Sequence, residues 1–226
     1  MTAPQQLEVR KDVPAWQLLV TLGLAGALAG LVLVFVYQVT LPRIEYNKAV
    51  RLAAAVQEVL KAPYRYDTLY VLDDQLTTQL PEGTDPKTLE AIYLGYTEDD
   101  VRIGFAITRA EAGFADLINV IFGYDHATGN VLGMKVLESK ETPGLGDKIE
   151  KDMDFVTSFD GVLAPIQGVK AGRGSGDSHE VDLITGATIS SRTLIRIINN
   201  ALERLEPMLD SYLATASASA TVEAVQ

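Results

Sequence analysis

Residues 182–191 read Asp-Leu-Ile-Thr-Gly-Ala-Thr-Ile-Ser-Ser, a turn of small and hydroxyl-bearing residues. From Ser190 to Leu209 apolar residues recur at helical spacing, which predicts a helix with one buried face directly after the turn. The first N–H groups of a helix lack partners within it, and the helix dipole attracts negative charge. The stretch is therefore typical of an anion site, in which Thr188 can bond to a phosphate. Simple helix capping by the hydroxyl of Thr188 or Ser190 stays open as an alternative.

A second loop, Glu141–Lys148, reads Glu-Thr-Pro-Gly-Leu-Gly-Asp-Lys. Its proline and two glycines predict a tight turn. Such a turn can present the Thr142 hydroxyl and the apolar Leu145 side chain to a ligand. An ordinary Pro-Gly turn without a ligand is the alternative.

Both segments resemble signatures of one family. The pattern Asp-x-x-Thr-Gly-Ala-Thr, ending at Thr188, resembles the motif on which a flavin transferase attaches FMN through a phosphoester, and Glu141–Lys148 resembles the other signature of the same FMN-binding domain. Together with the apolar N-terminal segment described below, they make the chain from about Thr40 to about Leu205 similar to the G subunits of Rnf electron-transport complexes. The C subunit of the Na⁺-translocating NADH:quinone reductase shares the domain and is the nearest rival.

The resemblance implies a covalent FMN on Thr188, with the segment Glu141–Gly146 packed on the isoalloxazine ring. The residues it assigns to the cofactor are Thr188, Thr185, Gly186, Ala187, Glu141, Thr142 and Leu145. Asp182 is expected to help the transferase recognise the site or to cap a turn. A membrane-anchored scaffold without a cofactor is the non-redox alternative.

The same resemblance implies a place in the cell and a set of partners. It predicts a redox subunit, rather than an independent enzyme, of a complex that links ferredoxin and NAD⁺ to ion movement across the bacterial inner membrane. The large C-terminal domain is expected on the outer side. The partners are then further integral and peripheral subunits, and a flavin transferase is needed for maturation.

The N-terminal segment Ala15–Leu41 contains no charged residue. About 20 apolar residues suffice to cross a bilayer, and Trp16 and Tyr37 stand near the two ends, where interfacial aromatic residues are expected. The run is longer than the apolar part of a cleaved signal peptide. We therefore predict a retained single-pass anchor, although charges on both sides of it leave the orientation open.

Composition excludes several classes of function. The formal net charge is -11, which makes nucleic acid an improbable partner because phosphate backbones repel an acidic protein. The chain has no cysteine, which excludes cysteine-ligated iron–sulfur clusters, disulfides and thiol chemistry. Its two histidines show no metal-site spacing, so no metal site is predicted and any redox chemistry needs an organic cofactor.

Basic residues near the motifs have two interpretations each. Lys140 or Lys148 can polarise a ring carbonyl, and Lys170 and Arg173 can neutralise a phosphate, but solvated surface positions are equally consistent with the sequence. The glycine-rich segment Gly172–Gly176 lacks the spacing and the strand–helix setting of a dinucleotide-binding loop.

The remaining pattern predicts an α+β protein: a single N-terminal transmembrane helix followed by an FMN-binding domain with a twisted antiparallel sheet covered by helices. Strands are predicted at Asp67–Leu72, Leu89–Tyr96, Val101–Arg109, Leu117–Tyr124, Val131–Leu137, Val162–Val169 and Val181–Ile184. Helices are predicted at Ile44–Lys61, after an interruption or bend at Pro42, and over much of Asp147–Phe159. The predicted divisions are a leader at 1–14, a transmembrane helix at 15–41, a membrane-proximal helix and the start of the outer domain at 42–98, a core at 99–209 and a disordered tail at 210–226.

Overall fold

The computed structural model describes residues 14–223, and their side chains up to residue 216. The predicted leader therefore lies almost entirely outside the described residues. The chain divides between Val50 and Arg51 into two compact units.

The first unit is helical. Helix α1 runs over Ala15–Val59, and its apolar residues from Ala15 to Thr40 are exposed, with Leu19, Leu22 and Leu33 each at 70% exposure or more. Among the described residues it is the one helix whose length and composition suit a membrane span.

Of the two outcomes predicted at Pro42, an interruption or a bend of the helix, the interruption is wrong. Pro42 lies inside α1, and the predicted helices at 15–41 and 44–61 are one element. A proline inside a helix removes one backbone hydrogen bond and costs about 3 kcal/mol, but the turns on both sides keep their own bonds. The Thr40 hydroxyl also donates to the Val36 carbonyl at 2.8 Å, one turn before the proline.

The second unit is built on a seven-stranded antiparallel sheet with the order β2-β1-β3-β4-β5-β6-β7. Its strands are β1 Arg65–Leu72, β2 Gln75–Thr77, β3 Ala91–Tyr96, β4 Arg102–Ala112, β5 Leu117–Asp125, β6 Asn130–Glu138 and β7 Val162–Leu163. The strand predicted at Val101–Arg109 corresponds to β4, but Val101 precedes β4 and is 59% exposed. The division predicted between residues 98 and 99 falls between β3 and β4. These two strands are hydrogen-bonded to each other in this sheet.

Both faces of the sheet are covered, which explains why its central strands are apolar on both sides. Phe105 and Phe122 face the larger core, which also contains Leu194 and Ile198 of the last helix. On the opposite face Ala106 and Ile121 pack against the end of α1, through Ala55, Val56, Val59 and Leu60.

The predicted strand Val162–Val169 is wrong as a single element. It divides into β7, which pairs with β6, and β8 Gln167–Lys170, which pairs in parallel with β9 Glu180–Leu183 in a separate two-stranded sheet. Pro165 lies between the two strands, and a proline has no N–H to donate to a strand ladder. The predicted helical region after β6 contains two short helices, α2 Lys148–Lys151 and α3 Met153–Thr157.

The last helix, α4, runs over Thr188–Glu223 and is longer at both ends than predicted. Residues 210–223 are helical where a disordered tail was expected. Leu209 is fully buried, and Tyr212 and Leu213 pack on the same core, so the apolar face continues beyond the predicted end. Alanine, common in the residues that follow, is the best helix former.

Candidate functional site

The two sequence motifs line one cleft. Residues from Glu141–Gly146, in the loop after β6, and from Gly186–Ser190, at the start of α4, meet around a cavity of about 340 Å³. Phe114, from the β4–β5 connection, completes its wall. The fold thus brings together two loops that are distant in the chain.

The turn before α4 is shaped by Gly186, whose φ is +87°. A Cβ at this position would meet nothing within 4 Å, so the backbone conformation and not a close neighbour of the Cβ favours glycine here. Ala187 is 4% exposed and belongs to the larger core. Its small size therefore serves packing, in addition to the predicted close approach of a phosphate to the backbone.

Thr188 is the first residue of α4, is exposed and lines the cleft. Its hydroxyl donates one long hydrogen bond, 3.4 Å, to the Ile184 carbonyl. This bond is a donation to a carbonyl, whereas the helix cap that the sequence left open would accept from an N–H. The Ser190 hydroxyl donates to a Glu141 oxygen. Ser191 holds the turn instead: its oxygen accepts from the Ile184 N–H at 3.3 Å and donates to the Ala187 carbonyl at 2.9 Å.

The loop that carries Thr142 and Leu145 is a turn closed by its own backbone. The N–H of Leu145 donates to the Thr142 carbonyl at 3.1 Å, and Gly144 has a φ of +78°. Leu145 is 51% exposed although it is apolar, and it lines the cleft. An apolar side chain held open to solvent beside a cavity is available to a ligand.

Glu141 is buried, with 5% of its surface exposed. One carboxylate oxygen accepts from the N–H groups of Phe114 and Ala115, and the other accepts from the hydroxyl of Ser190. Burial alone would raise the pKa of Glu141, but the hydrogen bonds from Ala115, Ser190 and Phe114 outweigh it and hold the pKa below its usual value. Glu141 is therefore a charged group whose two oxygens are already bonded to the protein.

Thr185 belongs to a different cavity, of about 480 Å³, together with Asp182 and Lys148. The Asp182 carboxylate accepts from the Gly172 N–H at 3.1 Å, as a turn-capping carboxylate does. The structure thus separates Thr185 from the cleft residues with which the sequence grouped it.

The basic candidates do not line the 340 Å³ cleft. Lys140 is paired with Asp116 at 2.9 Å on the surface, and Lys170 and Arg173 are exposed at the end of β8 and beyond it. Lys148 contributes to the wall of the other cavity. Lys140, Lys170 and Arg173 therefore occupy solvated surface positions, which was the second interpretation that the sequence allowed.

Sequence reasoning missed Phe114 and Ile189 as cleft residues. They are 67% and 57% exposed, respectively. Both were passed over because a lone apolar residue in a turn or in the first turn of a helix carries no signal by itself. Their role is indicated only by the structure, in which Phe114, Ile189 and Leu145 are all exposed and line the same cavity.

Neither histidine forms part of this cleft. His126 contacts Asp210 at 2.8 Å, and His179 lies 3.0 Å from the Leu163 carbonyl. Within the described part of the chain, no group of three or more His, Cys, Asp or Glu side chains is arranged to hold a metal ion.

Comparison with known proteins places the cleft in a family. A family model described as an FMN-binding domain matches residues 113–203, which include both motifs and Phe114. The G subunit of the ion-translocating oxidoreductase complex of Shewanella piezotolerans is 31% identical over 80% of this chain and 84% of its own length.

Solved structures agree at the level of the fold. NqrC of Shewanella oneidensis superimposes with a TM-score of 0.61 over 74% of this chain and 99% of its own, at 15% identity. The C subunit of the Na⁺-translocating NADH-quinone reductase of Parabacteroides distasonis gives a TM-score of 0.51 over 65% of this chain and 78% of its own, at 19% identity. These likenesses confirm the predicted α+β architecture. By its identity to the first relative over most of both sequences, the chain belongs to the family of G subunits of ion-translocating oxidoreductase complexes.

Proposed function

We propose that this chain is a membrane-anchored electron carrier in an ion-translocating oxidoreductase complex, and that it carries one FMN bound through a phosphoester to Thr188. The observation that carries the proposal is the single cleft in which the exposed Thr188 hydroxyl and the Thr142–Leu145 turn meet. FMN supplies the capacity to accept and release electrons, and the protein supplies its position and surroundings.

The residues of the cleft fit the two ends of FMN. Phe114, Leu145 and Ile189 offer exposed apolar surface from three separate segments, as a flat aromatic ring requires. The start of α4 offers backbone N–H groups and the positive end of a helix dipole, as a phosphate requires.

A covalent bond explains how an acidic protein keeps an anionic cofactor. None of the residues that line the cleft, all within the described chain, is basic, and the net charge is -11. A helix terminus contributes about 0.3–1 kcal/mol to such an interaction, whereas micromolar affinity requires about 8 kcal/mol. A phosphoester removes the need for that affinity.

The Thr188 hydroxyl is suited to this modification. It is exposed, and an ester at its oxygen sacrifices only the long hydrogen bond to the Ile184 carbonyl. Thr185 lies on a different cavity, and Ser190 is 3% exposed and bonded to Glu141. Of these three hydroxyls near the helix start, Thr188 is the one open to an attaching enzyme from the side of the cleft.

Membership of the family supports the remaining parts of the proposal, which are the membrane anchor and the partner subunits. Helix α1 supplies a single membrane span, and we place the domain after it on the outer side of the bacterial inner membrane. The neighbouring subunits then include electron donors and acceptors with their own redox centres. We further propose that a flavin transferase attaches the FMN to Thr188.

The test is production of the full chain with a flavin transferase, followed by denaturing gel electrophoresis. The wild-type band is expected to fluoresce, T188V to lose the fluorescence, and T188S to keep it because a hydroxyl remains. T185V is expected to fluoresce, since the Thr188 hydroxyl is untouched. Fluorescence that survives in T188V and vanishes in T185V would assign the ester to Thr185, and a dark wild-type band from native membranes would favour a scaffold without flavin.

A second measurement separates the complex from its nearest rival. Affinity purification from native membranes is expected to recover subunits of a ferredoxin:NAD⁺ oxidoreductase. Recovery of NADH:quinone reductase subunits in their place would assign this chain to that complex.

A further inference from the structure

Glu141 occupies a junction between three segments of the second unit. It follows β6 in the chain, and it reaches the connection between β4 and β5 and the first turn of α4. Its backbone N–H is in turn bonded to the Ser139 hydroxyl at 3.2 Å.

The two carboxylate oxygens divide these contacts. Oε1 accepts from Phe114 N–H at 2.8 Å and from Ala115 N–H at 3.0 Å, and Oε2 accepts from Ser190 Oγ at 2.8 Å. Hydrogen bonds to a charged carboxylate are stronger than those between neutral groups. Each of the joined segments supplies a cleft residue: Phe114, Leu145 and Thr188.

Two glycines leave space for this carboxylate. A Cβ on Gly113 would lie 2.4 Å from Glu141 Oε1, and one on Gly146 would lie 2.6 Å from Oε2. The Gly146 Cβ would also lie 3.0 Å from Ser190 Oγ. A side chain at either glycine would therefore require Glu141 or a neighbouring side chain to shift.

We infer that Glu141, assigned from the sequence to the cofactor, is a positioning residue that fixes the ring-binding turn relative to the helix that bears Thr188. This inference rests on the proposed FMN site. A flavin tethered at Thr188 is fixed at its phosphate alone, so the position of its ring depends on where Phe114 and Leu145 are held. Glu141 accepts hydrogen bonds from Ser190, in the helix that bears Thr188, and from the Phe114 N–H, beside the apolar wall of the cleft. It therefore fixes the phosphate end and the ring end of the site relative to each other.

The test compares E141A, E141Q and S190A in the flavinylated full-length protein. E141Q keeps the shape of the side chain, with a carbonyl oxygen for the two N–H groups and an amide that can donate to Ser190. S190A removes one contact and leaves the others. The matched controls are E150Q, on the exposed side of α2, and S211A, on the exposed side of α4.

All variants are expected to keep flavin fluorescence on a denaturing gel, because Thr188 is unchanged. In the native protein, E141A is expected to show a shifted flavin absorption spectrum, a shifted midpoint potential and stronger quenching by iodide than wild type. S190A should shift in the same direction by less, and E141Q should lie nearer to wild type than E141A. The two control variants should match wild type.

Attached flavin with wild-type spectrum, potential and quenching in both E141A and S190A would overturn the positioning role. Spectrum, potential and quenching shifted as much in E141Q as in E141A would also overturn it. Glutamine can form the same contacts as Glu141, so those contacts would then not determine the position of the ring. Should E141A fail to fold, S190A and E141Q still decide by the same readouts. Failure of the proposed FMN site has a different signature: the wild-type protein itself carries no flavin at Thr188.

Discussion

Thr188, Ser190 and Ser191 lie within one turn of α4, and each hydroxyl has a different partner. Ser191 bonds within the turn, Ser190 bonds to Glu141 across the cleft, and Thr188 keeps only a long bond to the Ile184 carbonyl. The sequence motif identified Thr188 through a family resemblance. It could not separate the roles of the two serines, because their partners are defined only by tertiary contacts.

Leu145 provides a direct test of the apolar wall. Replacing it by aspartate puts a charge where the proposed ring packs, so L145D should keep its covalent flavin while the absorption spectrum and the midpoint potential shift. The matched control is L117D, since Leu117 is 57% exposed and lies outside the cleft. An unchanged spectrum and potential in L145D would remove Leu145 from the ring contact.

Glu141 makes the stability of the domain depend on pH. Its pKa is lowered in the folded protein from the usual 4.5, so the folded state favours the ionised form. That stabilisation is fully present above pH 4.5 and is lost as the pH falls through the folded-state pKa. We expect E141Q to be less stable than wild type at pH 7 by about 1–2 kcal/mol, and the difference to shrink in acid.

Chemical denaturation of both proteins between about pH 3 and about pH 7 measures this difference. Other carboxylates with lowered pKa values, such as Asp116 and Asp147, are present in both proteins and cancel in the comparison. E150Q serves as the reference for an exposed carboxylate. A stability gap between wild type and E141Q that stays constant over this range would contradict the assigned ionisation.

At the scale of elements, the sheet was the most predictable part of the fold. β1, β3, β4, β5 and β6 lie close to their predicted positions because alternating apolar residues and glycine-containing turns are local signals. The errors occur where a local signal competed with a wider one. Pro42 suggested an interruption, but the helical turns around it continue, and the strand expected around Pro165 divides because its two halves pair in different sheets.

The end of α4 is the third such case, and it gives a prediction. Tyr212 and Leu213 are partly buried against the core, whereas the expected disordered tail from residue 210 would contribute nothing. A chain ending at Asp210 should unfold at a lower temperature than one ending at Ala216, with a loss of about 1–3 kcal/mol from the lost apolar burial. Thermal unfolding of the two truncated proteins, with the full chain as reference, measures it, and equal midpoints would support the disordered tail.

At the scale of the molecule, the boundary between the two compact units falls inside α1, before the turns that pack on the sheet. A chain beginning at Arg51 keeps Ala55, Val56, Val59 and Leu60, which cover one sheet face. It should remain in solution without detergent, because the exposed apolar residues of the anchor are gone. The full chain should require detergent.

A chain beginning at Ala62 is the informative counterpart. It lacks that cover, exposes Ala106 and Ile121, and should aggregate or unfold at a lower temperature. Sedimentation and thermal unfolding of the two shortened proteins provide the measurement. Equal behaviour would mean that the end of α1 does not contribute to the core of the second unit.

The junction at Glu141 is closed entirely by bonds between protein groups. The flavin proposed at Thr188 would break none of these bonds. We therefore expect the protein to fold before it receives flavin, so that a cell short of riboflavin accumulates folded subunits without the cofactor.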